Sequence, residues 1–199
     1  MPRRSYETLL RSVAKYPLIN EPYLYPIYSN SGFDLLGLVN VAANRKASDN
    51  PDAEPASHRE LVQRDIFGPI GLNSSFYRVP SDLLLSSRIA VPSQNADWAV
   101  SFNAFTVSLL LNQCVQDYVF DDSDDPASGQ YSSLTDLVKV MKTFFPPTAE
   151  RGVIPQHVVR EWLRPLHTWQ SWVGTFESSG APWEILKAGD SHLYTKGDF

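Results

Sequence analysis

A change of pattern near Pro165 constrains this 199-residue chain more than any other feature. Before it, apolar residues recur at intervals of three and four. After it come short, aromatic, partly alternating runs: "TWQSWVGTFES", "PWEILKA" and "SHLYTKGDF". Gly, Pro and Ser separate these runs, which is the signature of strands in an antiparallel sheet. Helices first and strands last predict an α+β fold. The expected layout is one partial domain over 1–199, with a mainly helical lobe at 4–165 and antiparallel strands at 166–199.

Within the helical lobe, residues 4–15 predict a short helix on Tyr6, Leu9, Leu10 and Val13. A second helix follows Asn30 and carries Phe33, Leu35, Leu36, Leu38, Val39, Val41 and Ala42. It is apolar nearly all round, so a central, buried position is expected. Ser57 and Glu60 form a capping-box pattern that opens a helix running out at Gly68-Pro69. Ser133 and Asp136 open the most regular helix. Its residues Leu134, Leu137, Val138, Met141, Phe144 and Phe145 share one face, and Pro146-Pro147 stop it. A further helix is expected near Gln156–Leu163. Residues 78–119 give no clear assignment.

Several function classes fall away on composition. A net charge of −5 with scattered Lys and Arg offers no polyanion surface, so nucleic acid is not an expected partner. The longest apolar run, Phe105–Leu111, is far short of the roughly 18–20 residues of a membrane span, so no membrane partner is expected. No signal-peptide pattern opens the chain, and the sequon Asn73-Ser74-Ser75 does not fix a compartment. Cys114 stands alone in an apolar run and reads as a packing residue.

His58, His157, His167 and His192 show no metal-binding spacing. The run Asp121-Asp122-Ser123-Asp124-Asp125 lacks the spacing of a calcium loop and reads as a solvated loop. Neither a metal site nor a cofactor site is expected.

The chemistry concentrates in three places. Tyr28-Ser29-Asn30 heads the apolar helix. Ser29, Asn30 and Ser31 are all good N-cap residues, and the plain reading is a helix cap in an unrelated α+β protein. Capping needs one such residue, however, and has no use for the tyrosine. A rigid Tyr-x-Asn turn can aim a phenol and a carboxamide at a ligand. The other two places are "DPASGQYSSLTDLVKVM", a loop entering an amphipathic helix, and "YTKGDF", where Lys196 precedes Gly197 at the end of the last expected strand.

With these motifs the chain resembles the serine β-lactamase-like superfamily of class C β-lactamases, DD-peptidases and related esterases. "PIYSNSGFDLLGLV" looks like that family's Tyr-Ser-Asn turn and following helix. "IFGPIGLNSSFY", "DPASGQYSSLTDLVKVM" and "WLRP" resemble later segments, and the order is kept from Pro26 to Lys196. The resemblance implies acyl transfer through a serine ester, on a small-molecule ester, amide or β-lactam. It assigns catalytic roles to Tyr28, which would relay protons, to Asn30, which would orient the substrate amide, and to Lys196, which would supply positive charge.

The departures are equally specific. The family's Ser-x-x-Lys helix lies far upstream of the Tyr-x-Asn turn, and here only 27 residues precede Tyr28. Ser12-Val13-Ala14-Lys15 matches formally but sits in the run-up to the turn, so Ser12 is read as a decoy. Asp198 stands where the family usually has Gly. The expectation is a catalytically incomplete member of the family; the alternative is a non-catalytic binding or interaction remnant of the same fold.

Overall fold

The computed structural model describes residues 6–78, 80, 123–145, 153–170 and 176–196. Residues 105–111, Cys114, Pro146-Pro147 and Asp198 lie outside these, as does most of 78–119. The described helices are α1 (Tyr6–Val13), α2 (Asn30–Ala47), α3 (His58–Val62), α4 (Gly68–Ile70), α5 (Asp125–Ser128), α6 (Leu134–Phe144) and α7 (Gln156–Trp162). Four strands follow: β1 (His167–Gln170), β2 (Phe176–Ser179), β3 (Glu184–Ala188) and β4 (Ser191–Thr195). The fold is α+β.

The caps explain where the helices begin. Ser29 caps α2, its hydroxyl accepting from the Gly32 amide at 3.0 Å. Ser57 accepts from the Glu60 amide, and the Glu60 carboxylate reaches back to the Ala56 amide. Ser133 accepts from the Asp136 amide at 3.2 Å. Each cap satisfies one of the orphan donors of a first helical turn.

The helix that starts at His58 does not run out at Gly68-Pro69. It widens into a π-turn over Gln63–Phe67 and continues through α4, where Pro69 sits in the first turn. The wider π-turn just before Pro69 is where the regular hydrogen-bond ladder is already interrupted, and proline lacks the amide that such a ladder would use. The stop comes at Gly71, whose φ of +72° favours glycine.

The four strands form a meander in sequential order, every pair antiparallel. Gly189-Asp190 makes a two-residue turn between Ala188 and its partner Ser191, with Gly189 at φ +61°. That turn pairs Leu186 with Leu193, Ile185 with Tyr194 and Glu184 with Thr195.

Two apolar centres hold the described residues. Phe67, Leu72 and Tyr77 form one, with Val62, Ile70 and Val140 against them. Phe144, Trp162 and Trp183 form the other, with ring centroids 5.0–5.7 Å apart. Trp162 Nε1 donates to the Ala181 carbonyl oxygen, which ties α7 to the approach to β3. Edge-to-face rings of this kind add to their area burial.

The expectation that α2 is buried is corrected. On α2, Phe33, Leu36 and Val39 are exposed, and the buried residues are Asp34 and Gly37. On α6, Leu134, Leu137, Val138, Met141 and Phe145 are exposed, and Asp136, Thr143 and Phe144 are buried. Sequence periodicity shows that a helix has an apolar face, but not what lies against it. The end of the acidic run is also not solvated, because Ser123 and Asp125 are 1% and 2% exposed.

Candidate active site

Asp136 shows why two of the quoted segments occur together. Its carboxylate accepts from the Ser74 amide at 2.7 Å, the Ser75 hydroxyl at 2.9 Å and Lys139 Nζ at 2.9 Å. Lys139 also donates to the Gly71 carbonyl oxygen. The loop 71–75 is thereby fastened to the first turn of α6. Phe76 and Tyr131 exchange both backbone hydrogen bonds and stack their rings 6.2 Å apart. Burial pushes the Asp136 carboxyl up, but the bonds from Lys139, Ser74 and Ser75 together outweigh it and hold it below the usual carboxylate range.

A second buried acid positions α2. Asp125 accepts from Arg78 at 3.0 Å and faces Arg59 Nε at 3.1 Å. Here burial dominates and raises the carboxyl, with Arg78 and Arg59 opposing it. Pro126, next in sequence, lies against Gly37 of α2 so closely that a Cβ at Gly37 would overlap its ring. His58 also borders that position, and burial lowers its pKa. Glycine at 37 is what lets α5 reach α2, whose N-terminus follows the Tyr28-Ser29-Asn30 turn.

At that turn the structure brings together two residues far apart in sequence. Lys196 Nζ lies over the Tyr28 ring, 4.8 Å from its centroid. An ammonium in this position is attracted by the ring's negative face. The contact is with the ring face, so it fixes position and does not by itself move a proton. Tyr28 is half-exposed. Asn30 is the first residue of α2, exposed and two residues beyond Tyr28.

Lys196 has a second neighbour, Glu184 Oε1 at 3.4 Å. The Thr195 hydroxyl donates to the Glu184 carbonyl oxygen at 3.1 Å, which holds the end of β4 against the start of β3. Glu184 was not among the residues the motifs single out. The two-residue turn at Gly189-Asp190 could have found it, since counting back from Ala188 and Ser191 sets Glu184 beside Thr195. Ser12 is exposed on α1, a helix with no buried residue, and its carbonyl oxygen accepts from the Lys15 amide. Among the described residues no group of His, Cys, Asp and Glu is arranged to hold a metal ion, and no helix is long and apolar enough to cross a membrane.

The fold of four antiparallel strands with helices matches that of solved structures. The chain superposes on a β-lactamase/D-alanine carboxypeptidase from Pseudomonas syringae with a TM-score of 0.61 and 15% identity, covering 94% of this chain and 43% of that one. A class C β-lactamase from Rhodobacter sphaeroides gives a TM-score of 0.61 at 18% identity, with 96% and 44% covered. A D-amino acid amidase from Ochrobactrum anthropi SV3, complexed with L-phenylalanine amide, gives 0.57 at 18%, with 98% and 50% covered. No family model matches the chain. In sequence it is 33% identical over 138 residues to the β-lactamase-like protein str6 of Strobilurus tenacellus, covering 69% of this chain and 38% of that protein. The chain belongs to the β-lactamase-like serine hydrolase family. It spans less than half the length of the curated relative it matches.

Proposed function

We propose that this chain carries the Tyr-x-Asn and lysine elements of an acyl-serine hydrolase site and, alone, binds substrate without turning it over. The observation that carries this reading is Lys196 Nζ over the Tyr28 ring, a contact between residues far apart in sequence. In this reading Tyr28 presents its phenol, Asn30 its carboxamide and Lys196 its ammonium to an ester, amide or β-lactam carbonyl compound. The 1–199 chain acts as one partial domain. The amide ligand in the D-amino acid amidase structure supports the amide among these classes.

A serine becomes a nucleophile only with a base in hydrogen-bond reach. Ser29 does not serve, because its hydroxyl caps α2. Ser12 does not serve either, because it lies exposed on a short outer helix. Residues that orient substrate without an attacking group leave, in a triad hydrolase, only about 10³–10⁴-fold acceleration over water.

The test is fluorophosphonate labelling of the 199-residue chain alongside hydrolysis of a chromogenic β-lactam and a short aryl ester. No labelling and no enzymatic turnover are expected. Labelling that maps to Ser12 and vanishes in Ser12→Ala, with turnover lost in step, would overturn this reading.

A further inference from the structure

The ammonium at Tyr28 does not face a ligand as a lone positive charge. Glu184 Oε1 lies 3.4 Å from Lys196 Nζ, and the two side chains are 42% and 32% exposed, so both meet solvent at the same spot. Register fixes the pairing. Glu184 and Thr195 are directly opposed across the β3–β4 ladder, and the Thr195 hydroxyl closes onto the Glu184 backbone. The register thus places the carboxylate on the strand beside the one that ends in Lys196. The pair carries no net charge, within a chain whose overall charge is −5.

A carboxylate ligand approaching Lys196 would have to displace Glu184 or sit beside it. Two carboxylates sharing one ammonium repel each other, and like-charge juxtaposition is a common means of rejecting a wrong partner. An uncharged ester or amide meets no such obstacle. It needs only hydrogen-bonding groups, and Tyr28 and Asn30 supply those.

We infer that Glu184 sets the ligand class of the site: by neutralising Lys196 beside Tyr28, it selects uncharged esters and amides over ligands that carry a carboxylate. This rests on the proposed reading of Tyr28, Asn30 and Lys196 as a ligand site.

The experiment compares N-acetyl-phenylalanine methyl ester with N-acetyl-phenylalanine, titrated into the chain at low ionic strength and followed by NMR shifts. In the unaltered chain the ester is expected to bind at least as tightly as the acid, because Glu184 offsets the attraction of Lys196 for the acid. Glu184→Gln should tighten acid binding about fourfold, the size of one unit-charge interaction at about 5 Å in water, while the ester changes less than twofold. Lys196→Met on the Glu184→Gln background should abolish the acid's gain. In Glu184→Gln, raising salt from 0.01 M to 0.5 M should shrink the acid's gain through screening. If the acid binds the unaltered chain more tightly than the ester, or Glu184→Gln moves both ligands equally, or salt leaves the acid's gain unchanged, the inference fails and the site reading stands. If neither ligand binds any form of the protein, the site reading fails and the inference with it.

Discussion

Asp125 and Asp136 are equally hidden, each 2% exposed, yet their surroundings treat the same charge in opposite ways. Asp136 receives a backbone amide, a hydroxyl and an ammonium, and its carboxyl is held below the ordinary range. Asp125 has two guanidinium neighbours and is nevertheless raised. Arg59 faces its second oxygen at 3.1 Å without the geometry of a hydrogen bond. For Asp125 the cost of burial outweighs its guanidinium neighbours, whereas for Asp136 the bonds from Lys139, Ser74 and Ser75 outweigh it. The Asp136 region is built to keep a charge, whereas the Asp125 region tolerates one in order to hold Pro126 against α2.

The sharpest way to break this contrast is to delete each acid. Asp136→Ala takes the acceptor from the Ser74 amide and leaves Ser75 and Lys139 with only their bonds to Ser132 and Gly71, and should cost about 3 kcal/mol of stability in urea unfolding. Asp125→Ala strands two arginines that still reach solvent, their side chains being 27% and 46% exposed, and should cost about 1–2 kcal/mol. Equal losses would show that the two sites are equivalent.

Acid titration sharpens the same comparison through its sign. The depressed Asp136 contributes stability above the unfolded carboxylate value, and this is lost as pH falls through its lower folded value. The raised Asp125 contributes the reverse, a penalty absent at low pH that develops as pH rises through its folded value. Thermal midpoints followed from pH 7 to pH 3 should therefore fall less steeply in Asp136→Asn than in the unaltered chain, and more steeply in Asp125→Asn.

The smallest effect belongs to the site itself. Lys196→Met removes an exposed cation–π contact and an exposed ion pair, each worth about 1 kcal/mol or less. Urea midpoints should barely move, while the near-ultraviolet signal of Tyr28 changes. A loss comparable to that of Asp136→Ala would mean that Lys196 is part of the framework.

Much of this architecture was legible from residues close in sequence. Ser29, Ser57 and Ser133 marked helix starts because a cap acts within one turn, and the Gly/Pro/Ser breaks marked the strands. The meeting of Tyr28 and Lys196 was legible only through resemblance, since no periodicity links residues so far apart in sequence. The partners of Asp136 and Asp125 were hidden for the same reason: Ser74 and Ser75 lie 62 and 61 positions from Asp136. The exposure of Phe33, Leu36 and Val39 was not legible, because an apolar surface all round a helix does not say what packs against it.

The place where the sheet is fastened has a mechanical consequence. Trp183 locks against Phe144 and Trp162 one residue before β3 begins, and Glu184, the first residue of β3, is the register partner of Thr195. Were the sheet to rock about that anchor, Lys196 would stand only about one strand spacing, roughly 4.8 Å, from the pivot. A tilt of about 5° over so short an arm displaces the ammonium by about 0.4 Å, inside the roughly 0.5 Å tolerance of a preorganised site. Were the pivot at β1, three spacings away, the same tilt would sweep Lys196 through more than about 1 Å.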